Sequence, residues 1–202
     1  MALADQRLYE HKNRDAPSTR RQSADVLRRA LVARHGEYDE EPAQGVAELA
    51  LQVAEELGLD EAEALQARLT AELRDVGMVA IPETIVANAG HLSDEDQRFL
   101  EQHAIIGERI VAVTPALGDI AVLVRSTHEN FDGSGYPDGL TGDAIPLASR
   151  IVAVCEEFYM LVGGPGDAVE ILRLDAGARF DPSVVEALAL CTTRIASRSG
   201  SL

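Results

Sequence analysis

Tryptophan is absent from the 202-residue chain, and aromatic residues make up only 4% of it. A core for one ordinary domain must then come from Leu, Val, Ile and Ala, which suits packed helices. Strand signals are also missing: no two alternating apolar runs form a convincing strand pair, and no segment repeats at a fixed period. No apolar run is long enough to span a bilayer and no secretory leader is visible, so membrane insertion is not expected and a cytoplasmic location is. Only two cysteines occur, Cys155 and Cys191, both inside apolar helical patterns. A disulfide scaffold is therefore excluded, and buried thiols in a reducing compartment are expected.

Positive charge is scarce. The chain carries 18 Lys and Arg against 34 Asp and Glu, a formal net charge of -16. Such a balance excludes nucleic-acid backbones and anionic membranes as partners. It disfavours a dianionic nucleotide more weakly, because charges beyond about 8 Å are screened at physiological salt and a local basic pocket still works.

What is present is helical periodicity along nearly the whole chain, with 46% hydrophobic residues. Residues 20–35 place Ala24, Val26, Leu27, Ala30 and Leu31 at helical spacing. After an acidic, Pro-containing break at 37–42, Val46, Leu49, Ala50, Val53, Ala54 and Leu57 line one face of a strong amphipathic helix, and Gly58 is placed as its stop. Asp60 caps the next helix, which runs toward Leu73. Ser93 caps a helix whose inward face reads Phe99, Leu100, His103, Ile106, Ile110 and Val113. Further helices are expected at 120–128, 146–162, 167–174 and 182–194, with Asp181 as N-cap and Pro182 at the first helical position. Asp15 to Ser18, with Pro17, reads as a linker. The fold class is all-α.

Between His128 and Pro146 lies a loop dense in Gly, Pro and Asp: His128-Glu129-Asn130-Phe131-Asp132-Gly133-Ser134-Gly135-Tyr136-Pro137-Asp138-Gly139-Leu140-Thr141-Gly142. Its glycines suit positive φ or close backbone approach, and its mix of aromatic, apolar and turn residues predicts an ordered loop. Tyr136 and Pro137 are expected to pack the loop rather than do chemistry. The stretch resembles the H-H-E-x-x-D-G-x-G-Y-P-x-G-L-x-G motif of the HD-GYP family, an all-α branch of the HD phosphohydrolases. The resemblance covers residues 20–195 and implies an HD-GYP-like helical bundle over residues 20–202. In that family two or three metal ions support hydrolysis of cyclic di-GMP. Ala4-Asp5, Leu8-Tyr9 and Lys12 are similar to the tail that closes a GGDEF domain, so residues 1–19 are expected to be such a tail plus linker.

Carried over position by position, the metal motif is incomplete. Pro42 stands where the first ligand histidine is expected. The H-D pair becomes Arg74-Asp75, and the lysine that follows it becomes Met78. The lone histidine is retained as His103, one of the histidine pair as His128, and the final aspartate is Glu156. The T-x-R-P-Y-R segment is replaced by 162–166. These changes imply a catalytically degenerate domain, without a cofactor, that serves as a regulatory or interaction module in cyclic di-GMP signalling. Its partner by resemblance is a GGDEF domain in cis or in trans, contacted through Asp132, Gly133, Gly135, Tyr136, Pro137, Gly139 and Leu140. The alternative is a metal-dependent cyclic di-GMP phosphodiesterase in which Asp75, His103, His128 and Glu156 hold one Zn, Mn or Fe ion. A second alternative is a dimerisation domain that forms a homodimer. On the degenerate reading Asp75 pairs with Arg74, and the lost cationic groups speak against retained cyclic di-GMP.

Overall fold

The computed structural model describes residues 2–35, 40–88, 90–162 and 167–199. Among them, nine α-helices and four short 3₁₀ segments account for the regular structure, as the all-α expectation required. The helices are α1 (Ala2–His35), α2 (Glu40–Glu56), α3 (Glu61–Leu73), α4 (Glu83–Val86), α5 (Asp94–Ala112), α6 (Ala121–Arg125), α7 (Leu147–Leu161), α8 (Ala168–Leu174) and α9 (Pro182–Ser199).

The punctuation residues act as their chemistry requires. Gly58 adopts φ +79° after α2, a conformation that only glycine takes without strain. Asp60 then opens α3 with a full capping box: its carboxylate accepts from the backbone N–H of Ala62 and Glu63, and the Glu63 carboxylate accepts from the Asp60 N–H. Ser93 caps α5 by accepting from the Asp96 N–H at 3.1 Å. Asp181 opens α9 by accepting from the Ser183 N–H at 2.8 Å, and Arg150 of α7 pairs with its other oxygen at 2.6 Å.

Three details depart from the sequence reading. First, α1 continues unbroken through Pro17, where a linker was expected. A proline costs the helix one N–H bond and a carbonyl clash, which can be absorbed as a bend rather than a break. Second, α2 begins at Glu40, inside the segment read as an acidic break. Pro42 thus lies in the first turn, where its missing N–H is no loss. Residues 37–39 of that break and the 163–166 run lie outside the described residues. Third, α5 buries His103, Ala104, Gly107 and Val111, whereas Phe99 is 46% and Val113 81% exposed. The buried stripe is narrow and carries Ala104 and Gly107 at its centre, where a second segment packs close against it.

Two cores share α3. Its Ala64, Ala67 and Ala71 face α2, α7, α8 and α9, where further alanines on α2 and α7 let the helices approach closely. Its Leu65, Leu69 and Leu73 face α1, α5 and α6. Cys155 and Cys191 are buried free thiols in the first core. The C-terminal end of α3 therefore emerges at the seam of both cores, and the chain turns there through the 3₁₀ segment Val76–Ala80.

That turn lies directly on α5. A Cβ built on Gly77 would sit 2.0 Å from the His103 carbonyl oxygen and 2.6 Å from the Gly107 nitrogen. Both obstacles are backbone, so neither can swing aside. Gly77→Ala is expected to cost about 1–3 kcal/mol by overpacking, read as a lower urea midpoint with an unchanged slope.

Candidate metal centre

Four segments bring side chains to the end of α3. Arg74 and Asp75 follow its last residue. His103 comes from the middle of α5 and is 4% exposed. His128 ends the 3₁₀ segment Ser126–His128 after α6. Glu156 comes from α7.

Asp75, His103 and His128 form a group whose ligand atoms all lie within 4.8 Å of one another. The Nε2 atoms of the two histidines are 2.9 Å apart. Asp75 Oδ1 lies 3.7 Å from the first and 3.9 Å from the second. A tetrahedral ion bound at roughly 2.0–2.1 Å needs donors about 3.3 Å apart. The three atoms bracket that spacing, so the residues fit one divalent ion. This favours one bound ion over the expectation of no cofactor.

Glu156 lies outside that group. Its Oε1 accepts from Arg74 Nη1 at 2.8 Å. The Arg74–Asp75 separation is longer, 3.7 Å, so the arginine's principal ion pair is with α7 rather than with its sequence neighbour. Its Nη2 reaches His128 Nδ1 at 3.4 Å. Burial pushes the Glu156 carboxyl upward, and the Arg74 charge partly restores it. Burial, followed by the Arg74 charge, holds the His128 imidazole well below 6.5, so this ring is neutral in the metal-free protein. Met78 sits in the 3₁₀ turn after Asp75 and does not line the cleft.

The Gly-Tyr-Pro loop closes the site. Tyr136 stacks on His128 with ring centroids 4.9 Å apart and planes 9° from parallel. Tyr136 thus covers a candidate ligand, a role beyond the loop packing expected of it. Burial pushes its phenol up to about 12. The sequence reading missed Glu129. This carboxylate is 3% exposed and accepts from the backbone N–H of Asp138 at 2.7 Å and Leu140 at 3.0 Å. Its place directly after His128, in a run of Gly and Pro, is the signal that could have marked it as a loop clamp. Gly133 and Gly139 take φ +87° and +65°. A Cβ on Gly135 would fall 2.2 Å from the Asn130 nitrogen. Asp132 ties the loop to the α8–α9 link, donating its N–H to the Ala178 carbonyl at 2.8 Å and accepting from the Ser134 N–H at 2.9 Å. The tyrosine–proline peptide is cis.

Between loop and helices opens a cleft of about 410 Å³, walled by Arg74, His128, Asn130, Tyr136, Glu156 and Arg179 among others. That volume falls in the range of small-molecule sites. Two guanidinium groups, Arg74 and Arg179, line it, each beside a carboxylate of the same wall: Arg74 pairs with Glu156 at 2.8 Å and Arg179 with Glu157 at 2.9 Å.

The HD-domain family pattern matches residues 7–184. The chain belongs to the HD domain family. It is 36% identical over 148 residues to a cyclic di-GMP phosphodiesterase response regulator of Xanthomonas campestris, covering 67% of this chain and 39% of that protein. It is 35% identical over 145 residues to a cyclic di-GMP phosphodiesterase of Thermotoga maritima, with the same shares. The chain thus spans well under half the length of these curated relatives. Among solved structures, a cyclic GMP-AMP specific phosphodiesterase of Vibrio cholerae superposes with a TM-score of 0.65 at 22% identity, over 83% of this chain and 47% of that one. An HDG"Y"P protein from Bdellovibrio bacteriovorus superposes with a TM-score of 0.61 at 20% identity, over 75% and 51%. Both establish the HD-domain helical fold. No helix among the described residues is long and apolar enough to cross a membrane.

The depressed His128 basicity has a signed consequence. An unfolded imidazole takes up its proton near 6.5, while the native ring stays neutral. The unfolded state then binds more protons below that pH, so this residue's contribution is complete above about 6.5 and is lost as pH falls below it. In metal-free protein, urea unfolding at pH 7.5 and 5.5 should show a larger stability loss on acidification for the wild type than for His128→Asn.

Proposed function

We propose that this domain is a metal-dependent phosphohydrolase module acting on a cyclic dinucleotide of the cyclic di-GMP class, built around a one-ion centre. The observation that carries the reading is the Asp75–His103–His128 group set against the Gly-Tyr-Pro cleft, in a chain whose relatives are named cyclic di-GMP phosphodiesterases.

A bound divalent ion supplies Lewis-acid activation of water and of the scissile phosphate. The protein groups have distinct tasks around it. Asp75, His103 and His128 hold the ion. The backbone carbonyl of Leu100 accepts from His103 Nδ1 at 2.8 Å and fixes that ring with its Nε2 toward the site. Tyr136 stacks on one face of the His128 ring and shields it from water. The Glu129 clamp keeps the loop in place behind it. Arg74 and Arg179 offer planar donors that match phosphate oxygens. Relatives named as specific for cyclic GMP-AMP make the identity of the substrate's two bases a separate question from its phosphodiester class.

One observation favours a second reading. The Arg74–Glu156 pair removes from the metal set the carboxylate that α7 contributes. On this reading the domain is a degenerate regulatory module, with the loop from Asp132 to Leu140 as the surface for a GGDEF domain or for a second copy of the chain. The two readings separate on metal content. After exposure to Mn²⁺, Fe²⁺ or Zn²⁺ and removal of free ion, about one ion per chain, lost in His128→Ala, is expected together with cyclic di-GMP hydrolysis. Less than about a tenth of an ion per chain would leave the phosphohydrolase reading without its Lewis acid. One ion with no hydrolysis of either cyclic dinucleotide would favour the regulatory module.

A further inference from the structure

The two histidines of the centre are not equivalent, and the difference follows from which groups can only donate or only accept. A backbone carbonyl only accepts, and Leu100 O lies 2.8 Å from His103 Nδ1, so that nitrogen carries the proton. In the neutral ring His103 Nε2 is then a free lone pair, the form that ligates a metal. A guanidinium only donates, and Arg74 Nη2 lies 3.4 Å from His128 Nδ1. The contact is a hydrogen bond when that nitrogen accepts, which places the His128 proton on Nε2. The 2.9 Å contact between the two Nε2 atoms fits this assignment, with His128 donating and His103 accepting. The result is one directional chain from Arg74 through His128 and His103 to the Leu100 carbonyl.

Metal binding needs the opposite proton placement on His128. Its Nε2 must present a lone pair to the ion, which moves the proton to Nδ1. There it would face an Arg74 N–H, donor against donor. Arg74 is held in that position from the far side by Glu156 at 2.8 Å.

We propose that Arg74 is a latch on the metal centre: it holds His128 in the tautomer that cannot ligate, so an ion enters only when the guanidinium leaves His128 Nδ1. His103 stays preset throughout. The displaced guanidinium has the cleft beside it, because Arg74 forms part of that wall. Loading of the ion and presentation of a phosphate-binding arginine to the cleft are thereby coupled. This inference rests on the metal group of the proposed function but concerns residue 74, which is not one of its ligands.

The test compares wild type with Arg74→Met, which keeps the aliphatic stem and removes every donor, and with Arg74→Ala. Circular dichroism and urea unfolding confirm that each variant is folded. Two readouts are taken without any substrate. Long-range ¹H–¹⁵N spectra of metal-free wild type should show the His128 proton on Nε2, and in Arg74→Met a population with the proton on Nδ1. Titration with Mn²⁺ and Zn²⁺ should show at least about tenfold tighter binding in both variants, the scale expected when a partner that orients a ligand is changed. A His128 proton on Nδ1 in the metal-free wild type overturns the latch. Equal affinities of wild type and variants overturn it while leaving the metal centre intact. No ion uptake by any of the three proteins overturns both the latch and the phosphohydrolase reading.

Discussion

The candidate centre is anchored on the close approach of the Val76–Ala80 turn to α5. Gly77 lies against the backbone at His103 with no room for a side chain. That contact sets the distance between Asp75, two residues before the glycine, and the imidazole of His103. It also explains why α5 buries a narrow stripe around Gly107 instead of the broad apolar face that its sequence suggests. A side chain at residue 77 would pry the turn away from α5. The ligand geometry is thus a by-product of backbone packing.

The loop from Glu129 to Gly142 is held by the same economy of means. It has no regular ladder, so its backbone N–H groups need other partners. A buried carboxylate supplies two acceptors at Glu129, and the carbonyls of Ala178 and Arg179 accept from Asp132 and Phe131. Tyr136 N–H returns to the His128 carbonyl at 3.1 Å. The tyrosine is thereby fixed over the ring it covers, and loop order and ligand position become one property.

Much of this was legible in the residues. Helix ends at Gly58, Asp60, Ser93 and Asp181 follow from local hydrogen-bonding chemistry, which a sequence displays directly. The retained His103 and His128 and the altered Arg74 are visible at their motif positions. What escaped the sequence depends on direction in space. Arg74 and Asp75 are neighbours in the chain, yet the arginine's shortest ion pair is with Glu156, because successive residues leaving a helix end point apart. Tyr136 looks like loop filler until the turn places it on His128. The persistence of α1 through Pro17 reflects continuation from both sides, which local propensity does not weigh.

The charge count at the centre limits how many ions it can take. Two or three divalent ions need several anionic donors to offset their mutual repulsion in a partly buried site. Here Asp75 and Glu156 are the carboxylates at the centre, and the guanidinium of Arg74 already neutralises Glu156. One carboxylate and two imidazoles remain, a donor set suited to a single divalent ion. Arg74 is a tethered cation beside that donor set, and unlike an ion it cannot activate water.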